Sequence, residues 1–201
     1  MTADATRGFR SSRVAIFGLV AILLVAIAGA GVGAARYAPL VVTSTGYGPG
    51  EGVVKHEAAS GDGTASFVYS EGREVFWSFQ ILNTGRFGVT LTDVSLPTAT
   101  EHILLRATAA RVFIGREEAG CCDFSRGAPF RRTAIPAGRS VGVLVRAIFG
   151  DCRWFQPGSA NVFTRQMISY TFLGLTRRFE IPIGPFTAEA PKACPETART
   201  P

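Results

Sequence analysis

Histidine is almost missing from this chain: His56 and His102 are the two in 201 residues. Neither has the companions that a zinc-ligand pattern spaces around it, so the sequence offers no metal site built on imidazole. Lysine is equally scarce, since all but Lys55 and Lys192 of the 21 basic residues are arginine. A phosphate-cradling glycine loop is absent. After residue 52 no stretch keeps a helical period over ten residues, which argues against a helical bundle or a doubly wound α/β fold. Long charge runs are lacking too. The net charge of +6 is front-loaded: Arg7, Arg10, Arg13 and Arg36, set against Asp4, supply +3 of it before residue 38. The remaining arginines are scattered among acids, without the basic stripe that a nucleic-acid partner requires.

What the chain has in quantity is apolar material, 47% hydrophobic against 18% charged, enough for a packed core and too much for a disordered chain. The longest apolar run, "VAIFGLVAILLVAIAGAGVGAA" from Val14 to Ala35, carries no charge. As a helix its 22 residues would be about 33 Å long, against a hydrocarbon core of about 30 Å. Arginines before it hold that end in the cytoplasm, and Tyr37 suits the outer interface, so the remainder is expected outside. A cleaved signal peptide ending at Ala28-Gly29-Ala30 is the rival, but the run exceeds the usual h-region of about 7–15 residues. Gly29 and Gly33 form a G-x-x-x-G, weak in so Gly/Ala-rich a segment. The expected organisation is a basic cytoplasmic tail (1–13), a transmembrane signal-anchor (14–35) and a flexible tether (36–60). An extracytoplasmic domain (61–195) and a short tail (196–201) follow. The localisation implied is the cell membrane, single-pass, with the membrane as a partner through residues 14–35.

"TSTGYGPGEG", Thr43 to Gly52, has the composition of a spacer. Beyond it the chain reads in twos. Val75, Trp77, Phe79 and Ile81 share one face of "EVFWSFQI", and Phe87, Val89 and Leu91 one face of "FGVTLTDV". The turn residues Asn83 to Arg86 between them suggest a hairpin. Further strands are expected at Ser66–Tyr69, Ile103–Ala107, Arg111–Gly115, Val141–Phe149, Val162–Phe172 and Arg178–Phe186. The last two should close as a hairpin around Leu173-Gly174-Leu175. Seven or eight short strands separated by turn signals predict an all-β fold, an antiparallel β-sandwich, with a small closed barrel as the alternative.

Gly138-Arg139-Ser140-Val141-Gly142 fits the nucleophile-elbow pattern. That elbow needs a strand before the serine and a helix after it, whereas here Ile135-Pro136-Ala137-Gly138 reads as a turn and the alternating Val141 to Phe149 as the strand that follows. Both histidines also precede Ser140, against the order of such triads. No catalytic residue and no cofactor is therefore assigned.

Four cysteines in an exported domain read as disulfides. Cys152 and Cys194 each lie just past strands that should end at the same edge, so they are the expected pair. Cys121 and Cys122 are adjacent, with Cα atoms about 3.8 Å apart, closer than the usual disulfide minimum. They remain a strained vicinal bridge, a redox or soft-metal site, or two halves of other pairs. The segment Glu117 to Thr133, "EEAGCCDFSRGAPFRRT", exceeds what a sandwich turn needs. Its Phe124, Arg126, Phe130, Arg131 and Arg132 form the candidate partner-contact loop.

The run "FWSFQILNTGRFGVTLTDV", then "IPAGRSVGVLVRAIF", Asp151-Cys152, "ISYTFLGLTRRFEIPI" and Cys194-Pro195 resemble a group of uncharacterised actinobacterial single-pass membrane-anchored proteins. The resemblance covers residues 65 to 195 and the anchor. It implies an immunoglobulin-like outer part and agrees with the Cys152–Cys194 pairing. It implies no activity, and Cys121-Cys122 falls outside its pattern. Two function classes follow. The first is a non-enzymatic membrane-anchored binding or scaffolding module that engages an envelope protein or glycan. The alternative is an exported thiol-redox or soft-metal protein acting through Cys121 and Cys122.

Overall fold

The structure, a computed structural model, describes residues 19–26, 29, 32–33, 36–57, 64–95, 104–114, 127–151 and 156–194. The chain divides into two units, Met1–Ala38 and Pro39–Pro201. In the first, residues 19–26 are helical, as are 29, 32–33 and 36. Leu19, Val20, Ile22, Leu23, Leu24 and Val25 are 71%, 45%, 72%, 57%, 61% and 72% exposed. At 3.6 residues per turn these positions point around the whole circumference of the helix. Among the described residues no helix is long and apolar enough to cross a membrane. Residues 14–18, 27–28, 30–31 and 34–35 of the expected span lie outside the described residues.

The second unit is all-β. Its seven longer strands are β1 (Leu40–Pro49), β4 (Glu74–Asn83), β5 (Val89–Ser95), β6 (Leu105–Ile114), β9 (Ser140–Phe149), β10 (Ala160–Phe172) and β11 (Leu175–Glu189). Short pieces complete the edges: β2 (Lys55–Glu57), β3 (Ala65–Val68), β7 (Ala128–Pro129) and β8 (Thr133–Ile135). One sheet runs β1-β4-β9-β6-β7 and the other β2-β3-β11-β10-β5-β8. The pairs are antiparallel except β3 with β11.

The alternation read from sequence is what builds the interior. Val75, Trp77, Phe79 and Ile81 on β4 are 0–1% exposed. From the other sheet Ile168, Tyr170, Phe172, Ile181, Ile183 and Phe186 are buried. The two inner faces meet through aromatic rings: Phe186 lies 5.4 Å from Tyr47, 5.9 Å from Trp77 and 5.0 Å from Phe163, stacked on the last. Each such side chain, fully buried, contributes roughly 1.5–3 kcal/mol.

In the middle of this layer sits a polar contact. Gln166 on β10 is 0% exposed, and its Oε1 accepts the indole N–H of Trp77 at 2.9 Å. Its Nε2 donates to the carbonyls of Ser95 and, at 2.8 Å, Met167. The buried amide thus has partners on both sheets.

Three sequence expectations need correction. The glycine-rich stretch expected within a tether is largely β1, paired along β4 from Leu40 opposite Asn83 to Pro49 opposite Val75. Tyr47 anchors it on Phe67 and Phe186. Secondly, β4 and β5 are not a hairpin. The first pairs with β1 and β9, the second with β10 and β8. Asn83 explains the change of sheet. Wholly buried, it donates from Nδ2 to the carbonyls of Phe87 at 2.8 Å and Ile135 at 2.9 Å, and its Oδ1 accepts the Gly85 N–H at 3.0 Å. That network holds an arch wider than a two-residue turn. Thirdly, the two strands expected around Ile103–Gly115 are one, β6, with a register shift between Ala107 and Ala109. The β10–β11 hairpin stands as expected, with Phe172 opposite Leu175, although Phe179 is only half-buried.

Replacing Gln166 by Met should destabilise the protein by about 1–3 kcal/mol, because the Trp77 N–H is left buried without an acceptor. Adding Trp77→Phe should cost less than the two single losses combined. Chemical denaturation of the four members of this cycle measures the coupling; strict additivity would show that the contact does not link the sheets.

Candidate functional site

Ser140 is the first residue of β9, opposite Leu82 of β4. The turn before it is closed by the Arg139 N–H on the Pro136 carbonyl at 3.1 Å, with Gly138 at φ 70°. A strand and no helix follows, so the geometry of an elbow is not formed. His56 is exposed on β2, opposite Ser66; His102 lies outside the described residues. Among the described residues no cluster of three or more His, Cys, Asp or Glu could hold a metal ion.

Cys194 is disulfide-bonded. Cys152 lies outside the described residues, as do Cys121 and Cys122. The chain just before Cys194 runs beside the chain that leads into β10: Gly158 N–H donates to the Pro191 carbonyl at 3.2 Å and Ala190 N–H to that of Ser159 at 2.8 Å.

Of the candidate contact loop, residues 117–126, Phe124 and Arg126 among them, lie outside the described residues, and the remainder includes strand. Ala128–Pro129 is a strand on the edge of β6, and Phe130 donates its N–H to the Ala110 carbonyl at 2.9 Å. Arg111 reaches the Gly127 carbonyl at 2.8 Å. Gly127 has φ 76°, and a Cβ there would stand 2.9 Å from the Phe113 ring. Phe113 belongs with Phe76 and Leu144 to a second apolar cluster, on the face of β4 opposite Trp77. The described part of the segment therefore covers apolar surface. Phe130 is half-buried, whereas Arg131 and Arg132 are exposed.

Sequence reasoning missed a second group. The tip of the β10–β11 hairpin is Leu173-Gly174, with φ 47° and 78°. Two consecutive positive φ values are those of a type I′ turn, where Asn-Gly is favoured. A leucine there is disfavoured twice: its Cβ crowds the backbone in the left-handed region, and its side chain is 77% exposed. Leu175 beside it is 44% exposed and Phe87, 59% exposed, has its ring 5.9 Å from that of Phe172. The available signal was "FLGLT", two leucines flanking the glycine of a turn.

No family model matches the chain, and no curated protein does. Among solved structures, it is similar to the Vibrio cholerae VesB protease, at 12% identity over 69% of this chain and 32% of the other, with a TM-score of 0.32. A family 123 glycoside hydrolase from Clostridium perfringens gives 10% identity over 78% and 28%, with a TM-score of 0.38. The chain spans about a third or less of either protein's length, and likeness at that level brings no activity to it.

Leu173→Asn should stabilise the protein by about 1 kcal/mol, since asparagine tolerates the left-handed region. Thermal unfolding measures this; an unchanged or lowered Tm would show that Leu173 is held by contacts rather than strained.

Proposed function

We propose that the chain is a membrane-anchored, extracytoplasmic binding or scaffolding module without catalytic activity, whose β unit is an immunoglobulin-like sandwich. The observation that carries this is the helix at residues 19–26, apolar and exposed on every side. A helix without a polar face belongs in a protein interior or in lipid, and this one lies within the uncharged run from Val14 to Ala35. Arginines on its N-terminal side orient it with the β unit outward.

Support for the immunoglobulin-like reading comes from connectivity. Taking the seven longer strands in chain order as A to G, β1-β4-β9-β6 is the order A-B-E-D and β11-β10-β5 is G-F-C, the two sheets of a constant-type domain. Antibody domains join strands B and F by a disulfide; here the same two strands, β4 and β10, are joined by Trp77 and Gln166. The disulfide of Cys194 is assigned to Cys152, a pairing supported by the run of residues 190–191 beside 158–159.

A module of this kind works through an exposed surface on a fixed scaffold. Arg131 and Arg132, exposed beyond the β7 edge, fit an acidic group on an envelope protein or glycan, with Phe124 and Arg126 in the same segment. Crosslinking on intact cells should capture such a component with the native protein. The double variant Arg131→Glu, Arg132→Glu should unfold at the same temperature and lose capture by about tenfold or more, equivalent to about 1.4 kcal/mol. Undiminished capture would remove the arginines from the contact.

A further inference from the structure

One end of the β unit gathers four pieces of chain. The Pro39 carbonyl, where the unit begins, accepts the N–H and the Oγ1 hydroxyl of Thr84, each at 2.9 Å. Asn83 N–H donates to the Arg139 carbonyl at 3.0 Å, and Phe87 packs on Phe172. The point of entry, the β4–β5 arch, the turn before β9 and the tip of the β10–β11 hairpin therefore lie together.

This end is unlike the opposite one. Val41, Phe87, Ile114, Leu173 and Leu175 are exposed here, against Val54, Val68 and Val162 elsewhere in the unit. Val41 stands opposite Leu82, and Ile114 opposite Val141. Arg86 and Arg139 are exposed at the same end. Segments 38–41, 82–89, 136–141 and 172–177 contain no carboxylate. The far end carries Glu51, Glu71, Glu74, Asp151 and Glu189 among its described residues, with Arg73, Arg106 and Arg146 beside them and Arg146 paired to Glu74 at 3.2 Å. Glu74 pairs with Ile148 there, and Glu189 with Val68.

We propose that this end docks on the surface of an anionic bilayer. Phe87, Leu173 and Leu175 enter the interfacial zone while Arg86 and Arg139 meet headgroup phosphates. The proposal rests on the anchor described above, and chain continuity selects lipid over other occupants. Pro39 is the third residue after Arg36, and three extended residues reach only about 10 Å. Whatever tilt the unit takes, its Pro39 end stays within that reach of the point where residue 36 leaves the membrane. Apolar tips ringed by arginine suit that location, where rings and aliphatic side chains bury in the headgroup boundary and basic residues are drawn to anionic lipid. The placement also accounts for Leu173: an exposed leucine in a left-handed turn position is unfavourable in water, and backbone strain of this kind persists where it serves a contact.

The test uses the full chain reconstituted in vesicles of phosphatidylcholine and phosphatidylglycerol with brominated acyl chains. Phe87→Trp and, at the far end, Val162→Trp are compared with the wild-type emission of Trp77 and Trp154. The added emission of Phe87→Trp should shift to the blue and be largely quenched by bromine, while that of Val162→Trp should not. Adding Arg86→Glu and Arg139→Glu, or replacing phosphatidylglycerol by phosphatidylcholine, should restore it. Equal quenching of both reporters, or none at Phe87→Trp in chain that floats with the vesicles, would overturn the proposal. Unquenched Phe87→Trp accompanied by cross-linked dimers would overturn it in favour of a second copy of the chain. Failure to float after a high-salt wash, with Phe87→Trp quenched before the wash, would keep the docking surface and refute the anchor instead.

Discussion

A buried amide must find partners or the protein loses the cost of drying it, and Gln166 finds them on two sheets at once. The Trp77 N–H reaches it across the interior, while Ser95 and Met167 fix it within its own sheet. Apolar side chains tolerate sliding of one sheet over the other, because dispersion contacts have little direction. A hydrogen bond between the centres of β4 and β10 does not, since its angle and length fail within a fraction of a strand spacing. The register of the inner faces follows from it: Phe186 comes to lie among Tyr47, Trp77 and Phe163, and the remaining rings close around that group.

Asn83 does for the end of the unit what Gln166 does for its middle. It too is wholly buried, and its side chain ties the arch after β4 to the end of β8. Its backbone carbonyl accepts the Gly138 N–H at 2.8 Å. Consequently the turn before Ser140, the chain entry at Pro39 and the hairpin tip are held in one place. A residue read from sequence as ordinary turn chemistry is a cross-brace, and the exposed apolar tips beside it are positioned by it.

Alternation of apolar residues made β4, β5, β9 and β10 legible, because a strand buried on one face writes its period directly into the sequence. The same signal could not say which strands pair. A chain crossing between sheets and a chain turning back within one both place turn residues between two alternating runs, and only the partners of the Asn83 side chain distinguish them. β1 was hidden for a different reason. Gly46 and Gly48 lower its strand propensity, and the contacts of Tyr47 that favour it are long-range. The segment from Glu117 was legible as an exceptional length of chain, but the strand at Ala128–Pro129 depends on β6 being its neighbour. The apolar tip went unseen because a leucine in a turn is judged by its φ angle, which composition does not reveal.

The central claim is that the β unit stands outside the membrane, moored by the apolar helix that precedes it. Adding protease to intact cells that produce the chain tests this directly, with detection through tags at both ends. Outward orientation predicts that the C-terminal tag is lost while the N-terminal tag, behind Arg7, Arg10 and Arg13, is protected until the cells are opened. A C-terminal tag that survives on intact cells and disappears only after lysis would contradict the account.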